Sequence, residues 1–113
     1  MSKRPVDLLI EDIWEAIEKV ERYTAGITYE SFRKDEKTAD AVVRNLEVIG
    51  EPANRLPGDF KKEHSDIEWA KIVGLRHRIV HEYFGVDLDI IWQIIRSDLP
   101  VFERALRCIH QKM

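Results

Sequence analysis

The sequence has a single cysteine, no long apolar run and no excess of positive charge. With Cys108 alone, the 113-residue chain cannot form an intramolecular disulfide, which is typical of proteins in a reducing cytoplasm. No run of 18 apolar residues is present, so we predict no membrane span. Asp7, Glu11 and Asp12 interrupt the first apolar stretch, which argues against a secretory signal. We therefore expect a cytoplasmic protein.

The net charge of −3 argues against a protein that coats nucleic acid through bulk basicity. It leaves room for a small local phosphate-binding patch. Apolar residues make up 44% of the chain and charged residues 35%, which indicates a folded, helix-rich protein and not a disordered one. The length suits one hydrophobic core, so we predict a single domain over 1–113.

Apolar residues recur at spacings of three and four, which predicts helices and not strands. The predicted helices cover about 5–25, 37–55, 66–84 and 87 onward, with a short helical turn near 60–64. The stretch ITYESFRKDEK reads as a polar connection held down by Tyr29 and Phe32. The pattern predicts an all-α fold, an up-and-down bundle of four to five helices.

Glycine, proline and aspartate mark the expected helix ends. Gly26 suits the end of the first helix, and Pro52 should kink or loosen the end of the second. Asp66 and Asp87 are expected to cap the helices that follow them. Pro100 predicts either a kink in the last helix or a restart capped by Asp98.

The segment GLRHRIVHEYFG, residues 74–85, places a charge on the face that its helix should bury. At about 100° per residue, Trp69, Ile72, Val80 and Tyr83 all fall within about 40° of Arg76. An unpaired guanidinium in a core would cost several kcal/mol, because its pKa is too high for it to become neutral. Arg76 therefore requires an anion, a carboxylate from another helix or a cleft open to water.

Two further strips run along the same predicted helix. The first strip contains two small residues and two histidines, Ala70, Gly74, His77 and His81, and would let another backbone approach closely. The second strip is expected to face solvent and contains Lys71, Arg78 and Glu82. Three basic residues and no acid lie between 70 and 81, which indicates a local phosphate-binding patch in an acidic chain.

Residue chemistry alone leaves other interpretations open for this segment. Arg76 could form a structural ion pair with a carboxylate of the bundle, and His77 and His81 could be interior or interface histidines. Histidines at positions i and i+4 could also bind a metal, but no third ligand of the H-E-x-x-H kind follows. Tyr83 alone would usually pack with its hydroxyl at the surface.

Together, Arg76, His81 and Tyr83 form the motif R-x4-H-x-Y. This motif resembles that of the HEPN superfamily of small helical ribonucleases, and within it the HepT-like toxins of HepT–MntA toxin–antitoxin pairs. The resemblance extends over most of the chain, in the segments YTAGITYESF, AVVRNLEVIGEPANRLP, IEWAKIVGLRHRIVHEYFGVDLDIIW and SDLP. It implies a HEPN-like helical domain that dimerises through the motif helix.

The resemblance also implies a metal-independent endoribonuclease without a cofactor. Arg76 and His81 would be the catalytic pair, and His77, Arg78 and Lys71 would support them and contact RNA. The 2′-hydroxyl of RNA would attack the adjacent phosphate and leave a 2′,3′-cyclic phosphate. The expected assembly is a homodimer, with a higher oligomer left open.

The same resemblance assigns a regulatory role to Tyr83. In HepT-like toxins the motif tyrosine receives AMP from an MntA-type minimal nucleotidyltransferase, which acts as the antitoxin. Added phosphate beside the site would occupy the basic groove and repel RNA. Two alternatives remain: a non-catalytic nucleotide- or substrate-binding subunit of that nucleotidyltransferase, and a helical dimerisation module.

Overall fold

The structure is a computed structural model. It describes residues 4–75, 77–79 and 87–111, which contain helices and turns and no strand. In chain order the helices are α1 (Val6–Thr24), α2 (Tyr29–Lys34), α3 (Glu36–Arg55), α4 (Gly58–Glu63), α5 (Trp69–Val73), α6 (Leu88–Gln93) and α7 (Leu99–Gln111). A π-helical segment, Ile94–Asp98, joins α6 to α7. The all-α prediction is confirmed. None of the helices in these ranges is long and apolar enough to cross a membrane.

Helices α1 and α3 pack along each other and form the centre of the core. The core includes Ile10, Ile13 and Ile17 of α1 with Leu46 and Ile49 of α3, and each is at most 1% exposed. Their three- and four-residue spacing brings them onto one face of each helix. Burial of each such side chain contributes roughly 1.5–3 kcal/mol. The two predicted helices are thus confirmed to within one residue at each end.

Helix α2 lies where the sequence predicted only a polar connection, so that prediction is wrong. The Thr28 hydroxyl accepts the Ser31 backbone N–H at 3.1 Å and so caps the helix. Phe32 is fully buried, and its ring centroid lies 5.1 Å from that of Trp92. The expectation that Phe32 holds this segment down is confirmed, and its partner is a residue of α6.

Two prolines lie inside helical structure, with different effects. Pro52 is buried in the last turn of α3, which continues through it to Arg55. Near Pro100 the chain adopts the π-helical segment, where the Leu99 N–H donates to the Ile94 carbonyl five residues back. Pro100 has no N–H to donate, so the wider turn before it accommodates the lost bond. The predicted restart capped by Asp98 is wrong, because the chain stays helical from α6 through the π-helical segment into α7.

The expected aspartate caps are wrong in detail. Helix α5 begins after Glu68 and not after Asp66, and Glu68 makes no capping side-chain bond. Asp87 precedes α6 as predicted, but its side chain does not cap it. Asp98 lies within the π-helical segment and binds side chains elsewhere. At the end of α1, Gly26 adopts a φ of 74°, which confirms the predicted stop.

Two carboxyl groups meet where α1 packs on α7. Partial burial raises the pKa of Glu21 to about 7, and a hydrogen bond and charge repulsion from Glu103 contribute to the same shift. Glu103 also pairs with Arg107, whose Nη2 lies 2.7 Å from its Oε1. Glu21 therefore holds a proton in the folded protein at a pH where it would lose it in the unfolded chain.

Glu21→Gln should stabilise the protein, relative to the wild type, more at pH 8 than at pH 4.5. The folded pKa of about 7 lies above the ordinary value of 4.5, so stability is lost as pH rises through this window. Because Glu21 is only partly buried and solvent screens its charge, we expect a gain of only about 1 kcal/mol at pH 8. Urea unfolding of both proteins at the two pH values measures it. An identical difference at both pH values would contradict the prediction.

Candidate functional site

The segment that starts at α5 carries the predicted motif. Arg76, His81 and Tyr83 lie outside the described residues, so their roles stay predictions. Leu75 and residues 77–79 are helical, and the Arg78 N–H donates to the Gly74 carbonyl at 2.9 Å. The predicted helix is therefore confirmed for its described part, although it begins at Trp69 and not near 66.

One face of this segment is buried, as predicted. Trp69, Ile72, Leu75 and Ile79 are each no more than 7% exposed. Ala70 and His77 of the small-residue strip are exposed and Gly74 is half-buried. A core face and an accessible face of the predicted kinds are therefore both present on the described residues.

Trp69 fixes the start of the segment. Its indole N–H donates to the His64 carbonyl at 3.0 Å. Its ring meets that of Phe102 edge-on, with the centroids 6.0 Å apart, and lies 6.2 Å from that of Phe60. A buried aromatic ring with its polar atom satisfied contributes both packing and orientation. Trp69 thereby ties α5 to α4 and α7.

Lys71 and Arg78, predicted to be solvent-facing RNA contacts, both bind one carboxylate. Lys71 Nζ lies 3.3 Å from Asp98 Oδ1, and Arg78 Nη1 lies 3.4 Å from Asp98 Oδ2. Glu68 Oε2 lies 4.0 Å from Lys71 Nζ. Lys71 is exposed, but Arg78 is half-buried, so the solvent-facing prediction is wrong for Arg78. The positive charge of this patch is thus partly neutralised in the free protein.

Asp98 was not predicted as a site residue. It was expected only to cap a helix, and its contacts with Lys71 and Arg78 join residues 27 and 20 positions apart. A signal existed: Asp98 lies four residues after Ile94 and three after Ile95, which are both buried. A carboxylate at helical spacing from core residues usually has a cationic partner.

The Asp98 cluster, defined as Asp98, Lys71 and Arg78, borders an open groove. Lys71 and Asp98 lie on the wall of this groove, which has a volume of about 290 Å³ and runs between α5 and α7. Apolar side chains form its floor, among them Ile72 and Phe102. Lys71 and Asp98 are therefore within reach of a ligand from solvent. Across the described ranges no three residues of the histidine, cysteine, aspartate and glutamate types are grouped to hold a metal ion.

A family model described as Ribonuclease HepT-like matches residues 13–109. The chain belongs to the HepT-like ribonuclease family. The matched range contains every predicted site residue, from Lys71 to Tyr83, and also Asp98. The enzyme class predicted from the sequence, an endoribonuclease, is thus confirmed at the level of this family, as is the all-α HEPN-type fold.

Several relatives align with most of this HepT-like chain. "Probable ribonuclease HepT" of Thermococcus cleftensis is 44% identical over 91 residues, which cover 80% of this chain and 83% of that protein. "Putative RNase TTE0752" of Caldanaerobacter subterraneus is 40% identical over 103 residues, 91% of this chain and 92% of its own length. "Putative RNase MJ1380" of Methanocaldococcus jannaschii is 34% identical over 109 residues, 96% and 100% of the two chains. No solved structure matches the chain.

Proposed function

We propose that the protein is a metal-independent endoribonuclease and the toxin of a toxin–antitoxin pair. The observation that carries the proposal is the motif R-x4-H-x-Y, formed by Arg76, His81 and Tyr83, within the HepT-like match. The helical backbone and buried face of the neighbouring residues support it, because they give the motif a rigid base.

The proposed reaction uses the chemistry of two side chains. His81 takes the proton of the ribose 2′-hydroxyl, whose oxygen forms a bond to the adjacent phosphorus. The bond from phosphorus to the 5′-oxygen breaks, and that oxygen leaves with a proton from water. Arg76 binds two phosphate oxygens and stabilises the charge that develops on them. The products are a 2′,3′-cyclic phosphate and a free 5′-hydroxyl.

A homodimer completes the proposed site. On one helix Arg76 and His81 would point about 140° apart and differ by roughly 7.5 Å in rise, which is too far for one phosphate. Two copies packed through the small-residue strip would bring the groups of both helices into one groove. Exposed Ala70 and His77 support this proposal, because they leave the strip accessible to a second copy.

Tyr83 is the proposed point of control. An MntA-type minimal nucleotidyltransferase would add AMP to its hydroxyl, two residues from His81, and the new phosphate would repel RNA. The partner would be a separate protein, since we find no nucleotidyltransferase motif in this sequence.

His81→Ala should lower RNA cleavage by about 10²- to 10⁴-fold in excess EDTA, because general acid–base catalysis contributes that much. The experiment uses protein purified without its partner, and mass spectrometry first establishes whether Tyr83 carries AMP. His110→Ala is the matched control, because His110 is an exposed residue of α7. If unmodified wild-type protein does not cleave, the non-catalytic binding-subunit alternative replaces this proposal.

A further inference from the structure

The Asp98 cluster brings together residues from two parts of the fold. Lys71 belongs to α5, and Arg78 to the helical residues that follow Gly74. The two oxygens of the Asp98 carboxylate each bind one of these cations. In the sequence, Arg76 lies between the two bound residues. A single carboxylate therefore holds the motif segment on both sides of its proposed catalytic arginine.

Asp98 is itself held firmly. It ends the π-helical segment, in which Ile94 and Ile95 are buried, and Leu99 directly after it is also buried. Arg96 of the same segment donates to the Ile27 carbonyl at 2.9 Å, and its guanidinium carbon lies 4.4 Å from the centroid of the Trp92 ring. A carboxylate on such a base provides a fixed point for flexible cationic side chains.

The burial of the cluster makes its charge balance important. The side chain of Asp98 is 26% exposed, against 36% for Arg78 and 44% for Lys71. Partial burial strengthens the attraction between these groups relative to a fully exposed pair. Asp98 also lowers the positive charge that the patch offers to phosphate, because its carboxylate offsets one of the two positive charges.

We propose that Asp98 is a positioning residue of the HepT-like site: it holds the motif segment through Lys71 and Arg78, and it keeps both cations from binding RNA backbone phosphate. This proposal rests on the proposed function. In this proposal Asp98 acts on cleavage through the placement of the motif segment and not as a catalytic residue. A displacement of about 1 Å in a reacting group is enough to lower a rate by 10²-fold.

Asp98→Asn should separate the two roles, because it keeps the side-chain shape and removes the charge. The cleavage rate at saturating RNA should fall at least tenfold. Binding of a non-cleavable 2′-deoxy oligonucleotide should become several-fold tighter. The slope of the logarithm of this affinity against the logarithm of the salt concentration should also become steeper, by about 0.7 to 1.4, because one or two further phosphates are neutralised. Asp98→Glu keeps the negative charge, so it should retain part of the cleavage rate that Asp98→Asn loses.

Arg78→Gln is the second variant, because it breaks the same contact without releasing a cation. It should also lower the cleavage rate, but without tighter oligonucleotide binding, and it carries the test if Asp98→Asn does not fold. Asp59→Asn in exposed α4 controls for the change in net charge.

Three outcomes would overturn the proposal: unchanged rate and affinity in Asp98→Asn, a rate that falls only in proportion to the folded fraction, or equal salt slopes in Asp98→Asn and Asp59→Asn. Failure of the proposed function is distinguishable, because it would appear as absent cleavage in the wild type. The oligonucleotide-binding comparison would still test the release of the cations.

Discussion

Arg76→Ala is expected to lower the rate of RNA cleavage by about 10²- to 10³-fold, the usual loss when one group that stabilises transition-state charge is removed. Arg76→Lys should retain only part of the activity, because an ammonium group cannot grip two phosphate oxygens in one plane. The rate is measured at saturating RNA in EDTA. Arg44→Ala, at an exposed position of α3, is the matched control.

The same variant separates the proposed role of Arg76 from a structural ion pair. If Arg76 points into a groove where phosphate binds, Arg76→Ala should leave the free energy of unfolding nearly unchanged. If it neutralises a buried carboxylate, loss of the arginine should cost about 3–5 kcal/mol. Urea unfolding of the two proteins decides between them. A large loss of stability with little loss of cleavage would contradict the catalytic role.

Trp69→Ala is expected to lower the free energy of unfolding by about 3–5 kcal/mol, the range for removal of a large buried aromatic side chain. Trp69 is only 7% exposed, packs edge-on against Phe102 and donates to the His64 carbonyl. Its loss would leave a cavity at the start of the motif segment and an acceptor without its donor. Stability is measured by urea or thermal unfolding.

Two further variants define what Trp69 contributes. Trp69→Phe keeps most of the ring and loses the hydrogen bond, so we expect a smaller loss of about 1–2 kcal/mol. Tyr23→Ala removes an aromatic ring from a site that is 38% exposed and should change stability by less than about 1 kcal/mol. If all three variants lost similar stability, Trp69 would not anchor the segment in the way described.

Local patterns predicted the long helices because the cause of each is local. The apolar spacing in α1 and α3 marks the faces that they bury against each other, and Gly26 ends α1 through its own backbone conformation. The buried face of the motif segment, with Ile72 and Ile79, follows from the same periodicity. These features require no knowledge of which elements meet.

Features that depend on contacts between residues far apart in the sequence were not predicted. Helix α2 is stabilised by contact between Phe32 and Trp92, which are 60 positions apart in the chain, and no periodicity over six residues reveals it. The Asp98 cluster likewise depends on how the π-helical segment meets α5. Pro100 indicated an irregularity, but several backbone solutions could absorb its missing N–H.

The candidate site likewise has one part that the sequence predicted and one part that it did not. Its proposed reactive residues, Arg76, His81 and Tyr83, were predicted from the motif and its resemblance to a family that the chain is now shown to belong to. The surrounding electrostatics were predicted less well, because Lys71 and Arg78 were expected to contact RNA and their shared partner, the Asp98 carboxylate, was not predicted. Side-chain pairing across a bundle requires the fold.

Metal-independent cleavage through the ribose 2′-hydroxyl is tested with a DNA oligonucleotide that contains one ribonucleotide, in excess EDTA, with both product ends identified. We expect one cut, at the phosphate 3′ to the ribose, that leaves a 2′,3′-cyclic phosphate and a 5′-hydroxyl. Cleavage at deoxyribose positions, a 5′-phosphate product or a requirement for added metal would contradict it.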